Sequence, residues 1–228
     1  MTLAERNWRV IGEATDDGPL TMALEEIAAE TAADGGPATV RVYTWPDVLS
    51  LGYKQDPDTV DWAFCEREGI SVTRRPTGGG AIYHDHYADL SYSIVVPAES
   101  APGDLMDCYE LFCDPILDAF AEIGVDARFV GAERAAVHQP ACYLRALHPA
   151  HDIVGPDGRK IGGNAQYRRK DAVVQHGSLS HRRPRPRGLP RACRGHRRVR
   201  RRGAGRDCRN ASGDACRVGR RRGGCVVR

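Results

Sequence analysis

Lysine and long apolar runs are what this chain has least of. Lysine occurs three times, at Lys54, Lys160 and Lys170. No stretch approaches the roughly 18 consecutive apolar residues of a transmembrane helix. The first twelve residues are polar and charged and lack the apolar region of a secretory signal peptide. We therefore expect a cytoplasmic protein that does not enter the membrane, and each lysine deserves inspection as a functional group.

The net charge of +3 combines two segments of opposite charge. Residues 1–180 contain 15 Lys plus Arg against 28 Asp plus Glu, whereas residues 181–228 contain 18 Arg against two Asp. Many carboxylates with few lysines are typical of surfaces in concentrated salt, where screening weakens repulsion between like charges. The acidic segment therefore predicts a halophilic protein.

Residues 181–228 lack lysine, Phe, Tyr and Trp altogether. One interpretation is a basic arm that binds nucleic acid, which predicts salt-sensitive binding that is lost when the segment is deleted. Without aromatic side chains, however, it cannot stack on bases. We favour a second interpretation, in which GC-rich DNA is read out of frame from near Ser180. We thus predict a domain at 1–180 and a disordered or frameshifted tail at 181–228 without function, and we do not expect nucleic acid as a partner.

None of the eight cysteines forms the closely spaced Cys-x2-Cys pair common in zinc sites. We predict no metal site and, without an export signal, free thiols rather than disulfides. Cys108 and Cys113 lie in a helical pattern and are interpreted as small buried apolar side chains.

Hydrophobic periodicity predicts an α+β fold, with a mixed sheet and flanking helices. Helices are expected at 19–32, 58–67 and 105–123, the first with Met22, Leu24 or Leu20, and Ile27 along one face. Strands are expected at 38–45, 48–53, 70–75, 127–130, 151–154, 159–161, 165–168 and 172–176. Residues 81–83 and 90–96 are predicted to be the two arms of a long hairpin.

Three glycines between two predicted strands form the first candidate site segment, RRPTGGGAIYHD at 74–85. Backbone without Cβ atoms can approach a ligand closely and offer N–H groups to an anion. Arg74 and Arg75 directly before the glycines can bind a carboxylate or phosphate in a bidentate manner. A flexible hairpin turn is the alternative. The segment is neither a P-loop nor a dinucleotide-binding motif.

Two further segments carry candidate groups, GRKIGGNAQYRR at 158–169 and QHGSL at 175–179. In the former, a turn places Lys160 on a strand beside two glycines and two amides. A lysine there can polarise a carboxyl oxygen or hold a phosphate. A solvated strand lysine is the alternative.

In this order the three segments resemble the lipoate–protein ligase and octanoyltransferase family, and TMALE at 21–25 and SLGYKQ at 50–55 add to the resemblance. The family shares the catalytic fold of biotin–protein ligases and class II aminoacyl-tRNA synthetases. The resemblance covers residues 8–180 and implies a catalytic domain that is incomplete at its C-terminal end. In the ligase branch, ATP converts lipoate to lipoyl-adenylate, which a lysine of a lipoyl domain then attacks.

By this resemblance the three glycines Gly78, Gly79 and Gly80 line the acyl and adenylate pocket, and Arg75 faces the acid or its phosphate. Lys160 binds oxygens of the intermediate, and Asp152 contacts Mg²⁺ or the nucleotide. His84 and His176 are expected to shape the site rather than to catalyse. The remaining residues expected to bind substrate or adenylate are Gly163, Asn164 and Ala165.

The position of Cys142 indicates an alternative mechanism. It precedes the Lys160 segment, where one branch of octanoyltransferases carries a nucleophilic cysteine that takes octanoyl from acyl carrier protein as a thioester. A thiolate near a lysine is a competent nucleophile, whereas a buried structural thiol is the other interpretation.

The motif strings are shared by both branches and do not decide between them. We expect the ATP-dependent ligase first, with ATP and Mg²⁺ as co-substrates and lipoate or octanoate as the acyl group. The expected acceptors are lipoyl domains of 2-oxoacid dehydrogenases and the glycine-cleavage H protein. Some members also need a separate accessory domain.

Overall fold

The computed structural model of the 228-residue chain describes residues 3–14, 17–130, 152–169, 171–180, 218–221 and 224–227. The helices are α1 (Gly18–Ala33), α2 (Trp62–Arg67) and α3 (Leu105–Glu122), with short 3-10 turns at Leu3–Glu5, Pro57–Thr59 and Ala98–Ser100. The strands are β1 (Trp8–Ala14), β2 (Ala38–Thr44), β3 (Val48–Leu51), β4 (Ser71–Arg74), β5 (Ile82–His84), β6 (Asp89–Pro97), β7 (Arg128–Phe129), β8 (Asp152–Val154), β9 (Lys160–Arg168), β10 (Ala172–Ser180), β11 (Val218–Arg221) and β12 (Gly224–Val227). None of the helices in these ranges has the length and apolar character needed to cross a bilayer.

Seven strands form the main sheet, in the order β1-β2-β6-β10-β9-β8-β7. Its β1–β2 pair is parallel and the other neighbouring pairs are antiparallel. A second sheet has the order β4-β3-β5, with β3 parallel to β4 and antiparallel to β5. Mixed sheets with flanking helices confirm the predicted α+β class.

Helix α1 packs on one face of the main sheet. Asp17 caps its N-terminus, because the Asp17 carboxylate accepts a hydrogen bond of 2.9 Å from the Leu20 amide. Ala28, Ala29 and Ala32 pack against Val95 and Val174, and these small side chains let the helix approach the sheet closely.

The predicted apolar face of α1 is wrong for two of its residues. Leu20 and Ile27 are 50% and 56% exposed, whereas Thr21 and Glu25 are fully buried. Glu25 faces inward because its carboxylate belongs to the hydrogen-bond chain described below. The hydroxyl of Thr21 donates to the carbonyl of Asp17 at 3.0 Å.

Helix α3 covers the opposite face of the main sheet. Cys108 and Phe112 pack against Ile94, Val96 and Val173, which alternate along their strands with the residues beneath α1. Cys108 and Cys113 are buried and free, as predicted.

The predicted hairpin of 81–83 and 90–96 is wrong. Strand β5 pairs with β3 in the small sheet, while β6 pairs with β2 and β10 in the main sheet. Between them, the amides of Ala88 and Asp89 donate to the carbonyl of Asp85, which closes a turn that carries the chain from one sheet to the other.

Other boundaries also differ from the prediction. The strands expected at 159–161 and 165–168 are one continuous strand, β9, and β1 was not predicted. In the Arg-rich segment, β11 and β12 pair with each other as an antiparallel hairpin. The assignment of residues 181–228 as a separate tail stays a prediction.

Candidate active site

A pocket opens where the two sheets meet beneath the N-terminal half of α1. Its empty volume is about 700 Å³, counting space open to solvent. Met22, Tyr43, Trp45 and Ile82 give it apolar walls. The predicted site residues that line it are Arg75, Gly78, Gly79, Gly80, His84, Asp152, Lys160, Gly163, Asn164, Ala165 and His176. Cys142 lies outside the described residues.

The charged centre of the pocket is a buried ion pair between two neighbouring strands. Lys160 begins β9 and Asp152 begins β8, and Lys160 Nζ lies 2.9 Å from Asp152 Oδ2. The two side chains are 5% and 4% exposed, so each charge depends on the other for its stability. The carboxylate thereby holds the ammonium in a fixed position, where it can stabilise an oxyanion.

The structure pairs Asp152 Oδ2 with Lys160, and the expected contact of Asp152 with Mg²⁺ or a nucleotide stays a prediction. Nowhere in the described ranges do three or more His, Cys, Asp or Glu side chains come together as a metal-binding cluster.

The glycine loop between β4 and β5 is shaped by one arginine. Arg75, 5% exposed, donates hydrogen bonds to the carbonyls of Ser50 at 3.0 Å, Gly78 at 2.7 Å and Gly80 at 2.8 Å. Gly79 has a φ of 94°, which strongly favours glycine at this point of the turn. These bonds fix the course of the loop, and binding of an acid or phosphate by Arg75 stays a prediction.

Arg74 bonds a different turn from the glycine loop that Arg75 bonds. Its guanidinium donates to the carbonyls of Gly52, Tyr53 and Gln55 at 2.7–2.8 Å, which closes the turn after β3. Binding of an anionic ligand by Arg74 stays a prediction.

A buried hydrogen-bond chain connects the glycine loop to α1. His176 Nε2 lies 2.7 Å from the Thr77 hydroxyl, and His176 Nδ1 lies 2.9 Å from Glu25 Oε2. Tyr43 donates to the other Glu25 oxygen at 2.8 Å. Burial, with Glu25 nearby, raises the pKa of Tyr43 well above its usual value, so its hydroxyl stays a donor. His176 thereby connects α1 to the glycine loop, and its expected role in shaping the site stays a prediction.

His84 belongs to a second buried group. Its Nδ1 donates to Asp89 Oδ2, and the hydroxyl of Ser178 donates to Asp89 Oδ1. The ring of His84 stacks on Trp45 with centroids 4.2 Å apart and planes 15° from parallel. Trp45 is itself fixed by a hydrogen bond of 2.8 Å from its Nε1 to the Ser91 hydroxyl.

Asn164 is oriented by a hydrogen bond from Tyr92, a residue that does not line the pocket. The Tyr92 hydroxyl donates to Asn164 Oδ1 at 2.7 Å, and Gln175 Nε2 donates to Cys113 Sγ at 3.1 Å and to the Tyr92 oxygen at 3.4 Å. A Cβ atom at Gly177 would overlap both Asn164 Oδ1 and the Tyr92 ring, so this position needs glycine.

Sequence reasoning did not identify several residues that hold the site together, namely Glu25, Tyr43, Thr77, Asp89, Tyr92 and Ser178. Glu25 lies in the TMALE segment and Thr77 and Asp89 lie in or just after the glycine segment, so their proximity to the motifs was the available signal. For Tyr43 and Tyr92 the sequence indicated no role in the site, only a position on a strand.

One family profile and several known proteins are similar in sequence to this chain. A profile of the lipoyl protein ligase A/B catalytic domain matches residues 17–183. Octanoyltransferase LipM of Geobacillus kaustophilus is 33% identical over 186 residues, covering 78% of this chain and 66% of the relative. Octanoyltransferase LipM of Symbiobacterium thermophilum is 36% identical over 185 residues, covering 77% and 65%. The aligned region is therefore slightly less than two thirds of these relatives' length.

Solved structures with a similar fold are lipoate–protein ligases. A bipartite lipoate protein ligase from Thermoplasma acidophilum, solved in a study of that ligase and its E2 lipoyl domain, gives a TM-score of 0.62 at 25% identity, covering 77% of this chain and 62% of that one. A lipoate-protein ligase A bound with ATP gives 0.64 at 24% identity, with 76% and 66% covered, and this similarity concerns the fold.

Proposed function

The chain belongs to the family of the lipoyl protein ligase A/B catalytic domain, and from this premise we propose that it is an octanoyltransferase. It takes octanoyl from acyl carrier protein through a thioester on Cys142 and passes it to a lysine of a lipoyl domain. The ATP-dependent ligase was the first expectation from sequence. Relatives at 33% and 36% identity that are named octanoyltransferases favour the thioester route instead.

The observation that carries the proposal is the combination of an apolar wall and the fixed ammonium group of Lys160 in the same pocket. Met22, Tyr43, Trp45 and Ile82 offer apolar surface to an eight-carbon chain, whose burial is favourable by roughly 0.8 kcal/mol per CH₂. Lys160, held by Asp152, supplies a positive charge for the acyl carbonyl oxygen. A medium-chain acyl group needs both features.

The reaction then has two acyl-transfer steps. The Cys142 thiolate attacks the octanoyl thioester, a new C–S bond forms, and the thiol of the carrier protein leaves. The neutral amine of the acceptor lysine next attacks the octanoyl-enzyme, a C–N bond forms, and the Cys142 sulfur leaves. Lys160 stabilises the oxyanion in both steps, because the same carbonyl oxygen becomes negative each time.

Three other cysteines are poor candidates for the nucleophile, which supports the choice of Cys142. Cys65, Cys108 and Cys113 are 2% exposed or less. Burial raises the pKa of all three thiols, and raises that of Cys113 to about 11. Few molecules would carry a thiolate at these positions near neutral pH, and none of the three lines the pocket.

The acceptors in this proposal are lipoyl domains of 2-oxoacid dehydrogenases and the glycine-cleavage H protein. Support comes from the Thermoplasma system, in which a lipoate protein ligase was studied with its E2 lipoyl domain. ATP, Mg²⁺ and an accessory domain belong to the ligase route and have no part in the thioester route.

Replacing Cys142 tests the proposal directly. Cys142→Ser should abolish transfer from octanoyl–acyl carrier protein to a lipoyl domain, measured without ATP. Cys65→Ala is the matched control, because Cys65 lies on α2 in a core cluster outside the pocket and should keep the activity. Transfer that survives in Cys142→Ser and requires a free acid and ATP would instead identify a ligase.

A further inference from the structure

His84 lines the pocket, and among the described residues one of its two ring nitrogens has a protein partner. Its Nδ1 is engaged by Asp89, and the residue is 3% exposed. Within the described part of the chain, Nε2 makes no hydrogen bond, and the side chain lines the pocket. A buried imidazole nitrogen left open toward a ligand cavity is what a proton acceptor requires.

The surroundings of His84 set which nitrogen carries the proton. Because the Asp89 carboxylate accepts from Nδ1–H, the neutral ring presents the lone pair of Nε2 to the pocket. The Ser178 hydroxyl on the other carboxylate oxygen fixes Asp89 in turn. Stacking on Trp45 holds the plane of the ring, so both its tautomer and its orientation are determined.

We propose that His84 is a catalytic residue, the general base that takes a proton from the acceptor lysine as its amine attacks the octanoyl group. Asp89 is its positioning residue, in the arrangement that orients histidine in acyl-transfer enzymes. This inference rests on the proposed function for the identity of the acyl group and the acceptor. It changes the expectation that His84 only shapes the site.

The proton and electron balance of the step is complete without another reactant. The amine lone pair forms the C–N bond, and the nitrogen becomes positively charged in the tetrahedral intermediate. Nε2 of His84 takes one proton from that nitrogen. The C–S bond then breaks, its electron pair leaves on the Cys142 sulfur, and the imidazolium returns the proton to this thiolate or to water.

Other ionisable groups share the pocket and bear on its pH dependence. Asp89 on β6 is in contact with His84, and Tyr43 on β2 borders the apolar wall. The other ionisable side chains that line the pocket are Arg75, Asp152, Lys160 and His176. Asp152 is paired with Lys160, and His176 is paired with Glu25. A pH profile alone would therefore mix several groups, and the test needs a variant of His84 itself.

The test separates loading from discharge. Wild-type protein and His84→Gln are first loaded with octanoyl from octanoyl–acyl carrier protein, and the octanoyl-enzyme is measured by intact mass. A lipoyl domain is then added and single-turnover discharge is followed. We expect loading to persist and discharge to slow by about 100-fold or more in His84→Gln. The slowing should lessen as the pH is raised, because hydroxide then takes the proton from the tetrahedral intermediate in place of His84.

A second variant distinguishes catalysis from a structural role. His84→Ala leaves a space beside Trp45, and added imidazole should restore part of the discharge rate. His86→Asn is the matched control, because His86 lies two residues away, outside the pocket, and bonds the Trp45 carbonyl. It should discharge at the wild-type rate without imidazole.

The outcomes distinguish this inference from the proposed function. If wild-type protein forms no octanoyl-enzyme, the proposed function fails. The same comparison is then made with octanoyl-adenylate as acyl donor, because the attacking amine must lose a proton there too. Discharge or transfer by His84→Gln at the wild-type rate, or slow transfer in His84→Ala without imidazole rescue, would overturn the assignment of His84 as the base.

Discussion

Single residues that bind two partners hold the pocket together. His176 joins Glu25 to Thr77, and Asp89 joins His84 to Ser178. Each of these side chains is buried, so losing one partner would leave a polar group without compensation, at a cost of about 1–3 kcal/mol. The positions of the groups that face a ligand therefore depend on residues that the ligand does not touch.

These connections could not be predicted from sequence, because they depend on strand register. Gly177 lies opposite Asn164, and Ser178 lies beside Asp89 only because β10 pairs with β9 on one side and β6 on the other. The glycines and Lys160 could be predicted, since their segments are continuous in sequence. Partners contributed by separate strands have no such local signal.

At Gly177 we predict a steric penalty. Gly177→Ala should reduce the free energy of unfolding by about 1–3 kcal/mol, because its Cβ would overlap Asn164 Oδ1 and the Tyr92 ring. Urea unfolding measures the change. Gly12→Ala is the control, since nothing lies within 4 Å of a Cβ there, and it should leave stability nearly unchanged. Equal stability of the two variants would contradict the packing described for β9 and β10.

The Lys160–Asp152 pair predicts strong energetic coupling. Lys160→Met or Asp152→Leu alone should destabilise the protein by about 3–5 kcal/mol, because each removes the ion-pair partner of a buried charge. The double variant should be destabilised by less than the sum of the two. Transfer should fall by about 100-fold or more whenever Lys160 is replaced. Additive stability effects, measured by denaturant unfolding, would show that the two charges do not interact.

Cys113 predicts a change in stability at alkaline pH. Burial raises the pKa of its thiol from 9.0 to about 11 in the folded protein. The unfolded chain therefore loses this proton at lower pH than the folded chain does. The contribution to stability is fully present below about pH 9 and is lost as the pH rises through about 11.

The measurement compares urea unfolding of wild-type protein and Cys113→Ala across this interval. The difference in unfolding free energy between the two should shrink as the pH rises. A difference that stays constant from pH 9 to 11 would show that Cys113 titrates alike in both states.

At the scale of elements, helices were predicted more accurately than strand partners. Helices α1 and α3 follow capping aspartates and keep a helical period, so their ends lie within one or two residues of the prediction. The hairpin of β5 and β6 was wrong because alternation identifies a strand without identifying its neighbour. The buried face of α1 was wrong in part because the site requires Glu25 there.

Helix α3 carries a ridge of like charges on its exposed side, formed by Glu110, Asp114, Asp118 and Glu122 at four-residue intervals. Such pairs repel one another along a helix. Asp118→Lys replaces two repulsive pairs by attractive ones and should raise the melting temperature at low salt by about 2–4 °C. Asp118→Asn, which removes only the repulsion, should give a smaller increase.

Salt provides the check on that prediction. In about 1 M KCl the Debye length falls to about 3 Å, so the advantage of Asp118→Lys should largely disappear. A gain that is as large in concentrated KCl as at low salt would show that packing or helix propensity, rather than charge, is responsible. The same dependence tests the halophilic character predicted from the acidic composition.

At the scale of the whole molecule, the two sheets and α1 create a site from segments that are far apart in sequence. The pocket takes residues from α1, from β2 and the small sheet, and from β8 to β10. The order of the motifs was sufficient to predict the family and the α+β fold. It could not decide the reaction, because the pocket features of Lys160 and the glycine loop suit both a ligase and a transferase.

The change of composition near residue 180 also belongs to this scale. The family profile ends at residue 183, close to the point where the acidic segment gives way to the Arg-rich one. The division into a domain at 1–180 and a tail at 181–228 stays a prediction. Its cause, a shifted reading frame or a basic arm, stays a prediction.

The intact mass of the protein after mixing with octanoyl–acyl carrier protein, in the absence of ATP, tests the central claim most directly. We predict a gain of one octanoyl group that is removed by hydroxylamine, lies on the peptide containing Cys142, and disappears when a lipoyl domain is added as that domain gains the same mass. A protein that gains no mass, together with a lipoyl domain that is modified only when a free acid and ATP are supplied, would contradict the octanoyltransferase assignment.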